Sequence, residues 1–180
     1  MKILILGSDG MLGHVVKIYF EENGYDVVCT TRKDEKSELY FNITNSISGI
    51  DEIIKRAKPD VVINCIGILN KVADEHKALA ILINSYLPHY LDEISVENNF
   101  KLVHVSTDCV FDGKTGNYDE MSIPNEISMY GRTKALGEVI NDRSVTLRTS
   151  IVGPDINENG VGLFKWFMDQ NGEVGGYDKV

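Results

Sequence analysis

A glycine-rich turn directly after the first apolar segment constrains the fold of this chain more than any other feature. Residues 2–6, KILIL, fit a buried parallel strand, and residues 11–23 have the pattern of an amphipathic helix that ends at Gly24. The glycines of the intervening turn are spaced three residues apart, which lets the backbone turn tightly and approach a ligand. The helix N-terminus adds unpaired N–H groups and a positive dipole end. The turn therefore predicts a pyrophosphate-binding site formed by Gly7, Asp9, Gly10, Met11, Leu12 and Gly13.

Strands and helices alternate along the rest of the chain. Strands are predicted at 26–31, 39–41, 61–67, 101–106 and 145–152, and helices at 46–57, 74–97, 127–141 and 162–170. Pro88 predicts a kink in the longest helix. Such alternation is typical of a parallel sheet with helices packed on both faces. The predicted fold class is therefore α/β, a Rossmann-type doubly wound parallel sheet with helices on both faces.

The end of the second strand bears on the choice of dinucleotide. Sites that select NAD usually have an acidic residue there, in contact with the adenosine ribose. This strand instead runs into Thr30-Thr31-Arg32-Lys33, and a basic residue such as Arg32 suits a 2′-phosphate. NADP is therefore the preferred cofactor, with NAD as the second option. A solvated basic pair before an acidic loop is the alternative interpretation.

Polar and glycine residues follow several of the predicted strands. Because ligands of such sheets bind outside the carboxyl ends of the strands, we expect Gly7, Arg32, Gly67, Thr107 and Arg148 to converge on one edge. Further strand-end residues expected at the cofactor are Asn42, Ile43, Cys65, Ile66 and Ser106. Asn84, inside the longest helix, is either a packing residue or a bridge to this edge.

Tyr130 and Lys134 form a candidate proton-transfer pair. Four residues apart on a helix, they lie on one face, about one turn from each other. A neighbouring cation favours the ionised phenol, so Lys134 is expected to bring the pKa of Tyr130 closer to working pH. Tyr130 could then exchange a proton with a carbinol oxygen that the Thr107 hydroxyl also binds. Taken alone, the two residues could equally be surface residues of an exposed helix.

Composition narrows the class of partner. The chain has 180 residues with a net charge of −9, which suits one globular domain and argues against nucleic acid or an acidic membrane surface. No signal peptide or apolar membrane span is predicted. Cys29, Cys65 and Cys109 lack metal-ligand spacing and are interpreted as packing residues in a reducing cytoplasm, so no metal site is predicted.

Five segments carry a resemblance to a known family. They are Gly7–Gly13 (GSDGMLG), Pro59–Cys65 (PDVVINC), Ser106–Gly113 (STDCVFDG), Tyr130–Lys134 (YGRTK) and Leu147–Ser150 (LRTS). The chain resembles extended short-chain dehydrogenase/reductases, and within them the dTDP-4-dehydrorhamnose reductase family. The resemblance implies that Thr107, Tyr130 and Lys134 are the catalytic triad, with Tyr130 and Lys134 also at the cofactor. It further implies reduction of a 4-keto group on a nucleotide-activated deoxysugar for cell-surface polysaccharide, by a protein that could form a homodimer.

Two positions depart from the family pattern. Asn42 stands where an acidic residue often contacts the adenine, although an amide can still donate and accept hydrogen bonds. Cys109 stands where the reductases often have tyrosine and where sugar-nucleotide 4,6-dehydratases have a glutamate base. The missing glutamate argues against a dehydratase.

Family members continue well past the sixth predicted strand with a portion that completes the sugar-nucleotide pocket. We therefore expect residues 1–153 to form the dinucleotide-binding domain with the triad, and 154–180 to begin a substrate-binding portion that is mostly missing. A naturally short protein is the alternative. Two other functions stay open, namely a nucleotide-sugar 4-epimerase and a non-catalytic NADP-binding subunit like the regulatory subunit of methionine adenosyltransferase.

Overall fold

Five parallel strands form the centre of the molecule. In the computed structural model, which describes residues 1–37, 39–153 and 162–175, they are β1 (Lys2–Leu6), β2 (Asp26–Cys29), β3 (Val61–Asn64), β4 (Lys101–Val105) and β5 (Ser144–Leu147). Their order in the sheet is β2-β1-β3-β4-β5, with every neighbouring pair parallel. The chain progresses in opposite directions from β1, which creates a crevice between β1 and β3 where ligands of such sheets bind. The predicted α/β Rossmann-type fold is confirmed.

Helices connect these strands and cover the sheet. They are α1 (Met11–Glu22), α2 (Gly49–Ala57), α3 (Asn70–Glu75), α4 (Lys77–Ala80), α5 (Leu87–Asn98), α6 (Met129–Leu136) and α7 (Leu163–Met168). A π-helical segment (Ile81–Tyr86) joins α4 to α5, and a 3-10 turn (Asp108–Val110) follows β4. Within the residues that the structure describes, no helix is both long and apolar enough to cross a membrane.

The core lies on both faces of the sheet because successive strand residues point to opposite sides. In β1, Ile3 and Ile5 pack on the face covered by α1, together with Val16 and Phe20. Leu4 and Leu6 pack on the other face among the buried residues of α2 and α5. A strand buried on both faces reads as a continuous apolar run, which is why KILIL was recognisable in the sequence.

The predicted third strand is reduced to a single parallel bridge. Thr31 and Tyr40 form that bridge, and Phe41 N donates to Thr31 O at 2.9 Å. The pairing ends at Asn42 because its Oδ1 accepts from the backbone N–H and the hydroxyl of Thr44, at 3.2 and 2.8 Å, and so starts a turn. The prediction of a strand at 39–41 was therefore too strong.

The predicted helix at 74–97 is interrupted rather than simply kinked. Its first break is at His76, where φ is −129° and ψ is 66°. The second irregularity is the π-helical segment, which ends one residue before α5 and places Pro88 in the first turn of that helix. Pro88 has no N–H, and its ring would crowd the carbonyl of Asn84 in a regular α-helix. The wider turn before Pro88 relieves both problems.

Candidate active site

The glycine turn has the tight geometry that the sequence predicted. Gly7 has φ +80°, a conformation that side chains rarely allow, and Gly10 N donates to Gly7 O at 3.0 Å. A Cβ on Gly13 would lie 2.1 Å from Gly7 O, so only glycine fits where α1 crosses the end of β1. Gly10 caps α1 without a side-chain hydrogen bond, and the first turn, which includes Met11 and Leu12, has no acidic residue. Within the part of the chain that the structure describes, no side chain caps this turn, so its N–H groups can bind an anion.

The residues after β2 and the Thr31–Tyr40 bridge lie at the same edge. The Arg32 side chain is exposed, as expected for a residue that could meet a phosphate. The Asp9 carboxylate, in the glycine turn, lies 3.4 Å from the ammonium of Lys33. Asn42 is half-buried, whereas the Ile43 side chain is 7% exposed and belongs to the core, which leaves its backbone as the part that could contact a ligand.

The segment after β3 packs directly against the glycine turn. A Cβ on Gly7 would lie 3.1 Å from the backbone N of Ile66, so the two strand ends touch. Ile66 N donates to Asn64 Oδ1 at 3.1 Å, which fixes the start of this segment. Burial raises the pKa of the Cys65 thiol to about 12, so this cysteine is an unreactive thiol at neutral pH. Gly67, the residue after Ile66, is exposed at the crevice.

Asn84 bridges this segment to the helix that carries Tyr130 and Lys134. Its Oδ1 accepts from Ile68 N at 3.0 Å, and its Nδ2 donates to Ile68 O at 3.2 Å and to Thr133 Oγ1 at 3.3 Å. The Asn84 side chain is fully buried, and an unpaired amide at this place would destabilise the fold. These hydrogen bonds provide the partners that it needs. Of the two interpretations of Asn84, the structure has the bridging arrangement.

Thr107, Tyr130 and Lys134 meet where β4 ends. Ser128 caps α6 by accepting from Gly131 N at 3.2 Å, and this helix turns Lys134 inward until it is 4% exposed. Its Nζ donates to Val105 O at 2.7 Å. Burial lowers the pKa of Lys134 to about 8, although the Glu138 carboxylate acts in the opposite direction. The ammonium is thus held at the end of β4 by the backbone.

The pKa of Tyr130 shifts in the direction opposite to the expected one. Burial raises it, and the nearby Thr107 hydroxyl, which favours the ionised phenol, offsets this increase only in part. Lys134 does not lower the pKa of Tyr130 as predicted, because its ammonium donates to the Val105 carbonyl instead. Tyr130 is consequently a neutral phenol at neutral pH, with a proton available to donate.

Asp108 is a site residue that the sequence reasoning missed. Its carboxylate accepts from the hydroxyl of Thr107 at 3.2 Å and from the hydroxyl of Ser150, which follows β5. Burial acts to raise the pKa of Asp108, but hydrogen bonds from Ser150, Thr107 and Cys109 outweigh it and hold the pKa below its ordinary value. The carboxylate therefore stays ionised and orients Thr107. Its position directly after Thr107 was the available signal.

Two buried polar atoms lie on or next to β4 beside this cluster. Among the described residues, Ser106 Oγ and His104 Nε2 have no hydrogen-bond partner. Ser106 was predicted at the cofactor, and its unpaired hydroxyl is buried next to the end of β4. His104 lies deeper in the sheet and is fully buried.

An ion pair joins the segment that follows α6 to the residue that follows β5. Arg148 donates from Nε and Nη2 to the two oxygens of Glu138, at 2.9 and 2.8 Å. The side chains are 20% and 9% exposed, and the guanidinium lies 5.0 Å from the ring centroid of Phe111. Phe111 in turn stacks on Tyr118. Arg148 therefore lies at the predicted edge but supports the site rather than lining it.

Comparison with known proteins is consistent with this geometry. The chain is 35% identical over 156 residues to the dTDP-4-dehydrorhamnose reductase of Aggregatibacter actinomycetemcomitans, covering 83% of this chain and 51% of the reductase. It is 29% identical over 163 residues to the methionine adenosyltransferase 2 subunit beta of Xenopus tropicalis, covering 87% of this chain and 48% of that subunit. The chain thus spans about half the length of the curated relatives it matches.

A solved structure extends the comparison to three dimensions. The dTDP-4-dehydrorhamnose reductase of Bacillus anthracis, in complex with NADP, superimposes with a TM-score of 0.71 at 27% identity, covering 82% of this chain and 52% of that one. The profile of the RmlD substrate binding domain family matches residues 1–174. The resemblance that the five sequence segments indicated is confirmed. The chain belongs to the RmlD substrate binding domain family.

Proposed function

We propose that this chain holds the cofactor site and catalytic residues of an NADP-dependent oxidoreductase of the short-chain dehydrogenase/reductase type. Its reaction is the reduction of the 4-keto group of a nucleotide-activated deoxysugar, in the synthesis of cell-surface polysaccharide precursors. The observation that carries the proposal is the cluster at the end of β4, where Thr107, Tyr130 and buried Lys134 lie together on the edge that holds the glycine turn. The dTDP-4-dehydrorhamnose reductase relatives support the substrate class.

The residues present fit a nicotinamide dinucleotide. The uncapped first turn of α1 suits a pyrophosphate, and exposed Arg32 suits a 2′-phosphate. NADP in the Bacillus anthracis reductase supports NADP as the preferred cofactor, with NAD as the second option. The residues proposed to hold it are Gly7, Asp9, Gly10, Met11, Leu12, Gly13, Arg32, Asn42, Ile43, Cys65, Ile66, Gly67, Asn84, Ser106, Tyr130 and Lys134. Asn84 acts through Ile68 and Thr133 rather than by contact.

A reduced nicotinamide held at this edge would supply the hydride that the carbonyl carbon of the sugar needs. Tyr130 Oη donates its proton to the carbonyl oxygen as that oxygen gains negative charge. The raised pKa of Tyr130 suits this direction, because the phenol still carries its proton at neutral pH. In the chain alone the Thr107 hydroxyl donates its single proton to Asp108 Oδ1. When the sugar binds, this hydroxyl turns the proton to the same carbonyl oxygen.

Lys134 places a positive charge at the end of β4. Its ammonium is held there by the Val105 carbonyl, one helical turn from Tyr130. With a pKa lowered to about 8, Lys134 is still mostly protonated at pH 7. We also propose that Lys134 hydrogen-bonds the nicotinamide ribose.

The reaction is tested on the full-length protein with its complete substrate-binding portion, by following NADPH absorbance with a dTDP-linked 4-keto-6-deoxy sugar. We expect NADPH oxidation, and a loss of about 100-fold or more in kcat for Tyr130→Phe with NADPH binding retained. Tyr118→Phe is a matched control, because the Tyr118 hydroxyl donates to Asp112 rather than to a residue of the catalytic cluster. Absence of NADPH oxidation across dTDP- and UDP-linked keto sugars would contradict the proposal. Interconversion of sugar epimers without net NADPH oxidation would indicate a 4-epimerase instead.

A second candidate function is that of a non-catalytic regulatory subunit. The observation that favours it is the similarity to the methionine adenosyltransferase 2 subunit beta of Xenopus tropicalis. Coelution with a purified methionine adenosyltransferase catalytic subunit, together with inactivity toward keto sugars, would support this function over the reductase.

We further propose the organisation and setting of the protein. Residues 1–153 form the dinucleotide-binding domain, and 154–180 begin a substrate-binding portion, of which 154–161 and 176–180 lie outside the described residues. The proposed compartment is the cytoplasm, and the proposed assembly is a homodimer. Size-exclusion chromatography with light scattering tests the assembly, and a monomer across micromolar concentrations would contradict it.

A further inference from the structure

A carboxylate of the glycine turn faces a cation that follows β2. Asp9 Oδ1 lies 3.4 Å from Lys33 Nζ, and Thr31 Oγ1 donates to Asp9 Oδ2 at 3.5 Å. The two segments meet because β1 and β2 are neighbours in the sheet, so the turn after β1 and the residues after β2 share its edge. Both oxygens of Asp9 therefore point at the segment that was expected to select the dinucleotide.

The Asp9–Lys33 ion pair is exposed to solvent, so either side chain can bind another partner. The side chains of Asp9 and Lys33 are 36% and 67% exposed. An ion pair at such exposure contributes little to stability, since water screens it and both side chains lose freedom. Arg32 lies beside the pair, and among the residues that the structure describes it forms no hydrogen bond or ion pair. Two cations and one carboxylate are therefore available to a ligand at this place.

We propose that Asp9 sets the balance between the two nicotinamide dinucleotides. This inference rests on the proposed dinucleotide-binding function. A ribose 2′-hydroxyl can donate a hydrogen bond to the Asp9 carboxylate, whereas a 2′-phosphate is repelled by it. Arg32 and Lys33 attract the phosphate, but Asp9 holds Lys33 by its own charge. Asp9 thus limits the preference for NADP that the basic pair provides and makes the site accept both dinucleotides.

The test is a binding titration with NADPH and NADH, followed by cofactor fluorescence and isothermal titration calorimetry. We expect Asp9→Asn to strengthen NADPH binding by about 3- to 10-fold, because removing one negative charge near a phosphate in a solvated site changes the binding constant by that order. NADH binding is expected to stay unchanged or to weaken. Lys33→Ala should weaken NADPH binding and leave NADH binding unchanged.

Matched controls separate a local effect from one of total charge. Glu21→Gln and Lys17→Ala make the same charge changes in an ion pair of α1, and neither should move the ratio of the two dissociation constants. An Asp9→Asn variant that changes both dinucleotides by the same factor would overturn the inference while leaving the proposed function intact. A ratio that moves as far in Glu21→Gln would overturn it too. A wild-type chain that binds neither dinucleotide would overturn the proposed function and this inference together.

Discussion

Replacing Glu138 by glutamine should destabilise the protein far more than a typical loss of an ion pair. Glu138 and Arg148 make a bidentate contact at 2.8 and 2.9 Å, with side chains only 9% and 20% exposed. Breaking a buried pair by removing one partner costs about 3–5 kcal/mol, because the other charge is left buried and uncompensated. Arg148 keeps some solvent exposure and its contact with the Phe111 ring, so the expected loss is smaller, about 2–3 kcal/mol.

Chemical denaturation followed by far-UV circular dichroism measures this difference. The midpoint should fall while the denaturant dependence of the unfolding free energy stays constant. Glu52→Gln provides the control, since its pair with Lys55 has side chains 71% and 63% exposed and should contribute about 0–0.5 kcal/mol. A Glu138→Gln variant that loses no more stability than Glu52→Gln would refute the view that this pair anchors the segment that follows α6.

Three further predictions concern other parts of the molecule. Gly137→Ala should lower the free energy of unfolding by at least about 2 kcal/mol, because its Cβ would lie 1.9 Å from Asn84 O. Gly172→Ala has open space around the added Cβ and should leave the free energy of unfolding nearly unchanged in the same denaturation experiment. Burial lowers the pKa of His104 from 6.5 to about 3, so the unfolded chain binds a proton that the folded chain does not, and stability falls as pH decreases below about 6.5. Between pH 7 and pH 4.5, the free energy of unfolding of His104→Gln should therefore fall by about 2 kcal/mol less than that of the wild type. Equal losses in the two proteins would contradict the lowered pKa of His104. Arg32→Ala should weaken NADPH binding about 10-fold with NADH binding unchanged, and equal effects on the two would rule out contact with the 2′-phosphate.

Local chemistry explains what could be predicted from the sequence. The strands were visible because residues buried on both faces of a parallel sheet form uninterrupted apolar runs. The glycine turn was visible because spacing alone identifies where backbone must come close, and Gly13 meets Gly7 O as that spacing implied. Thr107, Tyr130 and Lys134 were found because helical spacing and a strand end place them together.

Long-range contacts explain what could not be predicted. Asn84 acts through Ile68 and Thr133, 16 and 49 residues away, and no local pattern marks such partners. The Asp108 carboxylate accepts from Ser150, which lies 42 residues away in the segment after β5. The direction of the Tyr130 pKa shift depends on burial and on where the Lys134 ammonium is bound, which spacing on one helix does not specify.

The widened turn at Ile81–Tyr86 also determines which changes of chain length this region tolerates. A π-turn contains one residue more than an α-turn, so deleting a single residue there would restore a regular helix. The widened turn absorbs the extra residue, so the helices on either side would keep their faces and only the residues inside the turn would be displaced. Asn84 lies inside this turn, so the deletion would move its amide away from Ile68 and Thr133, although no core residue had been substituted. The length of this segment is therefore as important for the position of Asn84 as the identity of its apolar residues.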